Sequence, residues 1–233
     1  MIYAGLRWCM RSLVRVYLGP RFSLEDGDLI PRSGGLLVCS NHRGTIDPPL
    51  VPAFLPRRDS WSVAKSEWFS KPHLAALLRA YQAFPIVRHS ADRKALDRAF
   101  EIIRGGHVLV IYPEGTRVPA GGMRPAEPGA GFIARISGVT VLPVALVGTE
   151  ECLPRGAHWP RRVDVEMRIG PPLRVRGRRP DGRRVQNQEA VDAIMLAVAE
   201  CLPESLRGAY AEVAVLRARL AGVTEPVAVT EPA

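Results

Sequence analysis

His107-Val108-Leu109-Val110-Ile111-Tyr112 runs without a break into Pro113-Glu114-Gly115-Thr116-Arg117. An almost continuous apolar run of this kind is expected of a central strand buried on both faces, and the polar string that follows is then a turn at its end. Upstream, Ser90 has the chemistry of an N-cap for a helix in which Leu96, Ala99, Phe100 and Ile103 repeat at helical spacing, and Gly105-Gly106 stops that helix. Downstream, a Gly- and Pro-rich loop from Val118 to Gly131 precedes a short helix, Phe132 to Ile136, with Gly138 to cap it. Further strands are expected at Leu36–Cys39, Trp61–Ala64, Ala83–Val87 and Val139–Val147, with Val163–Ile169 alternating like a half-exposed edge strand. Helices are expected from Ser70 to Ala80, from about Gln188 to Leu202, and from about Glu204 to Leu220. This order of elements describes a single-domain α/β sandwich with a mixed, largely parallel central sheet flanked by helices and polar turns at the strand ends.

A second polar turn, Asn41-His42-Arg43-Gly44-Thr45-Ile46-Asp47-Pro48, leaves the Leu36–Cys39 strand through Ser40. Five positions separate His42 from Asp47, which in a helix turns the two side chains roughly 140° apart and in a strand puts them on opposite faces. Only a turn lets them meet. Gly44 gives the backbone freedom to make one, and Pro48 biases Asp47 away from helical geometry and can open a helix with Asp47 as its N-cap. Taken alone, the pair fits a general base with its orienting carboxylate and equally a turn histidine beside a helix cap. Cys39 and Ser40 read as buried strand-end residues rather than nucleophiles.

With 233 residues, 47% of them hydrophobic, the chain fits one substantial core better than two. Four cysteines, Cys9, Cys39, Cys152 and Cys201, lie far apart without CxxC spacing, which argues against a zinc site or a disulfide framework and for a reducing compartment. The formal net charge of +9 implies an anionic partner: a nucleic acid, an acidic lipid surface or an acidic protein.

Residues 1–20 read as a basic amphipathic helix, with Arg7, Arg11 and Arg15 on one stripe and Ile2, Tyr3, Leu6, Cys9, Met10, Leu13, Val14 and Tyr17 roughly opposite. It is too short and too charged to span a bilayer. It suits either a membrane interface, with the arginines near anionic headgroups, or packing on its own domain. Residues 21–221 form the main domain, in which Arg21 to Gly35 reads as a loop. Arg174 to Arg184 is rich in arginine but has no interleaved aromatics and no nucleic-acid motif, so a solvated loop is expected and no nucleic-acid partner. Residues 222–233 read as a disordered tail.

Four blocks in order, Asn41-His42 with Asp47, Phe84-Pro85-Ile86-Val87-Arg88, Tyr112 to Arg117, and Val141-Leu142-Pro143-Val144, resemble those of the glycerolipid acyltransferase family, whose best-known members are lysophosphatidic acid acyltransferases. The likeness covers roughly Leu36 to Gly148, and its order and spacing match as well as its residues. It implies a glycerol-3-phosphate acyltransferase-like fold, with His42 as general base and Asp47 as its orienting partner. It also implies an acceptor site of Arg88, Glu114, Gly115, Thr116 and Arg117, and a mainly structural role for Val141 to Val144.

The same resemblance implies acyl-CoA or acyl carrier protein as co-substrate, no metal or other cofactor, a lysolipid acceptor, and an anionic membrane surface. The enzyme would then lie peripherally on the cytoplasmic face of the cell membrane. The chemistry suits the residues, since guanidinium groups match phosphate oxygens, while Glu114 beside an anionic acceptor would orient an arginine or accept an acceptor hydroxyl. Backbone N–H groups near the His42 turn are the natural oxyanion donors. Departures from the family pattern at Val87, Tyr112, Val118 and Glu127-Pro128 leave a glycolipid, an amino-acid lipid or another lysophospholipid as alternative acceptors. A non-catalytic lipid-binding protein on the same scaffold is the remaining alternative.

Overall fold

The structure is a computed structural model and describes residues 2–57, 59–87, 92–118, 120–154, 156–157 and 159–228. In chain order the elements are α1 (Ile2–Tyr17), β1 (Phe22–Glu25), β2 (Leu36–Ser40), α2 (Asp47–Phe54), β3 (Ser60–Lys65), α3 (Pro72–Ala80), β4 (Ala83–Ile86), α4 (Arg93–Arg104) and β5 (Val108–Ile111). They continue with α5 (Gly129–Ser137), β6 (Thr140–Val147), α6 (Thr149–Cys152), β7 (Val165–Ile169), β8 (Leu173–Val175), α7 (Asn187–Glu200), α8 (Val213–Arg219) and β9 (Thr224–Pro226). The strands form one sheet in the order β1-β7-β6-β2-β5-β3-β4, with β8 on β6 and β9 on β8. Pairings of β2 with β5 and β6, of β3 with β4 and β5, and of β1 with β7 are parallel, while β6–β7, β6–β8 and β8–β9 are antiparallel.

Each central strand divides its side chains between two cores. Leu37, Cys39 and Leu109 face a layer of α4, α5, α7 and α8, whereas Leu36, Val38, Val108 and Val110 face α1 and α2. Every residue of β2 is buried, so its apolar run serves both layers at once. Because β2 and β5 are parallel neighbours, the His42 turn and the Pro113–Arg117 turn emerge together at their carboxyl ends.

Several boundaries differ from the sequence reading. The Arg21–Gly35 segment contains β1, which pairs with β7 from Phe22↔Val165 to Glu25↔Arg168, so β7 is interior and β1 forms the edge. Asp92, not Ser90, caps α4, its side chain accepting from Ala95 N at 3.1 Å; Ser90 lies outside the described residues. Ser70 likewise ends a short 3-10 turn and donates to Glu67 O, while α3 starts after Lys71 without a side-chain cap. The expected Glu204–Leu220 helix is broken into two 3-10 turns and α8, because Gly208 (φ +49°) sits backbone to backbone against Gly122 and Met123. Nor is the whole stretch after Gly222 disordered: Val223 is fully buried and β9 pairs with β8. In the arginine-rich stretch, β8 leads into a hairpin in which Arg176 pairs with Glu225, and Arg179 and Arg183 share Glu189.

Of the two placements open to α1, the helix takes packing on its own domain, with Arg7 and Arg11 of its arginine stripe facing inward. Pro56 has no N–H to offer the Pro52 carbonyl, and the last carbonyls of α2 have no helical partner of their own. Arg7 supplies the missing donors, with Nε to Pro52 O at 2.8 Å and Nη2 to Leu55 O at 2.6 Å, and is itself 5% exposed. Arg11 donates to Ala53 O and, at 2.8 Å, to Leu55 O. Cations at a helix C-terminus also meet the negative end of its dipole. Tyr3, Val14 and Leu18 pack on the domain beside these arginines, so Ile2, Trp8, Leu13 and Val16 are left exposed on the other side, Val16 at 78%. Of the three arginines only Arg15 faces outward.

Candidate active site

Asn41 begins the site by prolonging the sheet with its side chain. Its Nδ2 donates to Leu146 O at 2.9 Å and its Oδ1 accepts from Leu146 N at 2.8 Å, which fixes the chain against β6 where β2 ends. The turn that follows closes on one oxygen of Asp47. Its Oδ2 lies 2.8 Å from His42 Nδ1 and accepts from Arg43 N at 2.7 Å and Gly44 N at 2.8 Å, and the carboxylate is fully buried. Ile46 takes the N-cap position of α2 and Asp47 its first turn, so the carboxylate reaches back into the loop instead of capping the helix. Gly44 is required by packing, because a Cβ there would lie 2.5 Å from Thr149 O of α6.

A carboxylate facing Nδ1 fixes the tautomer in which Nδ1 carries the proton and Nε2 the lone pair. The His42 ring stacks on Tyr112 with centroids 4.4 Å apart, which limits its rotation, and its side chain keeps 14% exposure. Burial and the nearby Asp47 charge hold the Tyr112 hydroxyl well above the usual phenol range. Cys39 is buried, and burial alone pushes its thiol far up, so no thiolate is available next to the turn.

The Pro113–Arg117 turn, with the Val118 that follows it, is tied to the histidine turn at three places. Glu114 Oε1 accepts from His42 N at 2.9 Å while Oε2 accepts from Arg124 N at 2.8 Å, and Val118 N donates to His42 O at 2.7 Å. Both oxygens of Glu114 are thus used on backbone amides, in place of the arginine or acceptor hydroxyl expected from sequence. Burial raises its pKa, opposed by those two hydrogen bonds and by the His42 and Arg43 charges. Gly115 takes a left-handed φ of +67°, which a residue with a Cβ would adopt only at a cost. Thr116 is partly buried beside it, and Arg117 donates to Thr45 Oγ1, so both polar turns meet at this edge. Arg88 lies outside the described residues, as the end of the second block does beyond Val87.

Sequence reasoning missed Arg43, whose buried side chain binds three segments together. Its Nε donates to Glu150 Oε1 at 2.7 Å and its Nη1 to Gly121 O at 2.8 Å, with the guanidinium 6% exposed. No signal in the local pattern distinguishes it from a solvent-facing loop arginine. The amides of His42, Arg43 and Gly44 are all taken by carboxylates, which removes them from the expected oxyanion donors. Among the described residues no three His, Cys, Asp or Glu side chains gather as a metal-binding group.

The fold and site define an α/β protein whose polar turns leave the carboxyl ends of adjacent parallel strands, with an imidazole–carboxylate pair held there. The family model described as Acyltransferase matches residues 21–147, more than half of the chain. The chain belongs to that family and is an acyltransferase. It is similar to a 1-acyl-sn-glycerol-3-phosphate acyltransferase of Pseudomonas aeruginosa, 26% identical over 220 residues that cover 90% of this chain and 82% of that one. A chloroplast 1-acyl-sn-glycerol-3-phosphate acyltransferase of Brassica napus is 29% identical over 155 residues, and there the chain spans 43% of the relative's length. Among solved structures, the 1-acyl-sn-glycerophosphate acyltransferase PlsC of Thermotoga maritima shares the fold with a TM-score of 0.67 at 23% identity, over 85% of this chain and 78% of that one.

Proposed function

We propose that this enzyme moves a fatty acyl group from an acyl thioester, acyl-CoA or acyl carrier protein, to the free hydroxyl of a 1-acylglycerol-3-phosphate, giving phosphatidic acid. The observation that carries the reading is the 2.8 Å contact between His42 Nδ1 and a fully buried Asp47 carboxylate at the mouth of the sheet. An acceptor hydroxyl is far too weak an acid to ionise beforehand, so it must lose its proton as it attacks. His42 Nε2 takes that proton while the acceptor oxygen bonds to the thioester carbonyl carbon, and Asp47 steadies the imidazolium that forms. The tetrahedral oxyanion then collapses, the C–S bond breaks, and the departing thiolate receives the proton from Nε2. No acyl-enzyme is needed, because the thioester is already activated.

Arg117, with Gly115 and Thr116 on the turn that Glu114 holds, receives the acceptor's phosphate together with Arg88. Names of the sequence relatives support this acceptor. The exposed apolar side of α1, with Ile2, Trp8, Leu13 and Val16, offers a face that can lie in a lipid surface where the acceptor resides. Among the described residues no helix is long and apolar enough to cross a membrane. The test is a thiol-release assay with long-chain acyl-CoA and acyl carrier protein against a panel of lysolipids and monoacylglycerol. Transfer is expected to be fastest to 1-acylglycerol-3-phosphate; a clear preference for a phosphate-free or glycolipid acceptor would replace the acceptor assignment, and no transfer to any acceptor would overturn the reading.

A further inference from the structure

The segment 120–128 is held far more tightly than its Gly- and Pro-rich composition suggests. Met123 N donates to Leu206 O at 3.0 Å, Ala209 N to Met123 O at 2.8 Å, Ala126 N to Tyr210 Oη at 3.2 Å and Glu127 N to Pro113 O at 2.8 Å. Gly122 lies so close to Gly208 that a Cβ would meet its nitrogen at 2.2 Å. Arg124 sits in the middle of this pinned segment. Its own amide is the one that Glu114 Oε2 accepts, and Pro125 after it biases its backbone to the extended region.

The carboxylate that holds Arg124 N with one oxygen holds His42 N with the other, which puts the two nitrogens within about 8 Å of each other. The Arg124 side chain is exposed, and among the described residues its guanidinium has no hydrogen bond or ion pair, unlike Arg43, which is neutralised by Glu150. Glu114, the acid that joins Arg124 N to His42 N, is committed to those amides, and the Glu127 side chain lies against Gly115. A solvated loop arginine is the ordinary reading of such exposure. Here, however, the main chain is immobilised at the rim of the site, so a ligand bound there costs little ordering of the loop.

Resting on the reading above, we propose that Arg124 is a second phosphate-binding arginine, acting with Arg117 from the middle of the loop that follows it on a phosphate group of the bound substrates. The phosphate of the acceptor and the phosphates of the donor's carrier share this chemistry, since a guanidinium pairs two N–H groups with two phosphate oxygens.

Arg124→Ala and Arg124→Lys are compared with the native enzyme in two kinetic arms and one binding arm. In the first arm 1-acylglycerol-3-phosphate is varied at saturating acyl-CoA, with monoacylglycerol as the phosphate-free control. In the second, acyl-CoA is varied and compared with acyl-pantetheine, which lacks the phosphates. The third arm titrates glycerol 3-phosphate calorimetrically and does not depend on turnover. Loss of a charge-assisted pair predicts an acceptor KM raised by about tenfold or more in Arg124→Ala, with a smaller change in kcat and partial recovery in Arg124→Lys. Preference for phosphate-bearing over phosphate-free acceptor falls with it, and glycerol 3-phosphate binds correspondingly more weakly. A rise confined to the acyl-CoA KM, absent with acyl-pantetheine, also supports the site and assigns it to the donor's phosphates. Unchanged KM values and unchanged glycerol 3-phosphate binding overturn it, as does an equal loss on phosphate-bearing and phosphate-free substrates. The native enzyme's own lysolipid profile tests the acceptor reading separately.

Discussion

Replacing Glu114 by alanine removes a strut whose two ends hold the amides of His42 and Arg124 at 2.9 and 2.8 Å. Each is a hydrogen bond to a carboxylate that is 6% exposed, and water entering the gap replaces part of what is lost, so the net cost is about 2–3 kcal/mol. For a chain of this length that lowers the thermal midpoint by about 4–12 °C. The catalytic effect is larger in relative terms, because a shift of His42 by about 1 Å costs about 10²-fold in rate. Glu114→Gln retains one acceptor and turns an NH2 group against the other amide, so it falls between alanine and native.

pH separates the charge of Glu114 from its shape. Burial raises its folded pKa above the ordinary 4.5, so between those values the folded state holds more protons than the unfolded one. Glu114 therefore contributes a stability that declines as pH rises through that window, and Glu114→Gln lacks the decline. Urea unfolding of both proteins across the window, with thiol release measured alongside, is the assay. Parallel pH profiles for the two, or an alanine variant with native kcat, would refute the reasoning.

Asp47→Asn leaves an oxygen to accept the three N–H groups of the turn, so we expect near-native unfolding with transfer reduced about 10³–10⁴-fold, whereas Asp47→Ala also destabilises the fold; comparing kcat with the unfolding midpoint checks both. Gly44→Ala drives a methyl group into the Thr149 backbone and should cost about 1–3 kcal/mol and most of the activity, read by denaturation and by thiol release. Asp92→Ala removes the α4 cap and should cost about 1 kcal/mol at neutral pH. Amide hydrogen bonds from Val87 and Ala95 hold the Asp92 carboxyl below its usual range, so the cap's contribution is complete above the unfolded value and disappears as pH falls through the folded one. The Asp92→Ala and native stabilities should converge in acid.

The parts of the fold legible in sequence are those in which one local pattern leaves one solution. A run such as Val108 to Ile111 has apolar side chains for both faces, and Gly44 with Pro48 permits few ways for His42 and Asp47 to meet, so β5 and the turn could be read directly. β1 could not, because its four residues are only half-buried or exposed and carry no alternation. The helical wheel of α1 separates two faces without saying which is buried. That choice depends on carbonyls 42 to 48 residues away, left without donors by Pro56 and by the end of α2. Glu114 was recognisable as a site residue from its motif, but its partners lie on segments whose proximity only the sheet order reveals.

In the proposed reaction a single proton passes through His42. Thiol release by His42→Ala, at saturating acyl-CoA and 1-acylglycerol-3-phosphate and with its unfolding midpoint measured in the same preparation, tests this most directly. The account predicts a rate at least about 10³-fold below native with the fold intact. A folded variant that turns over within tenfold of native would contradict it.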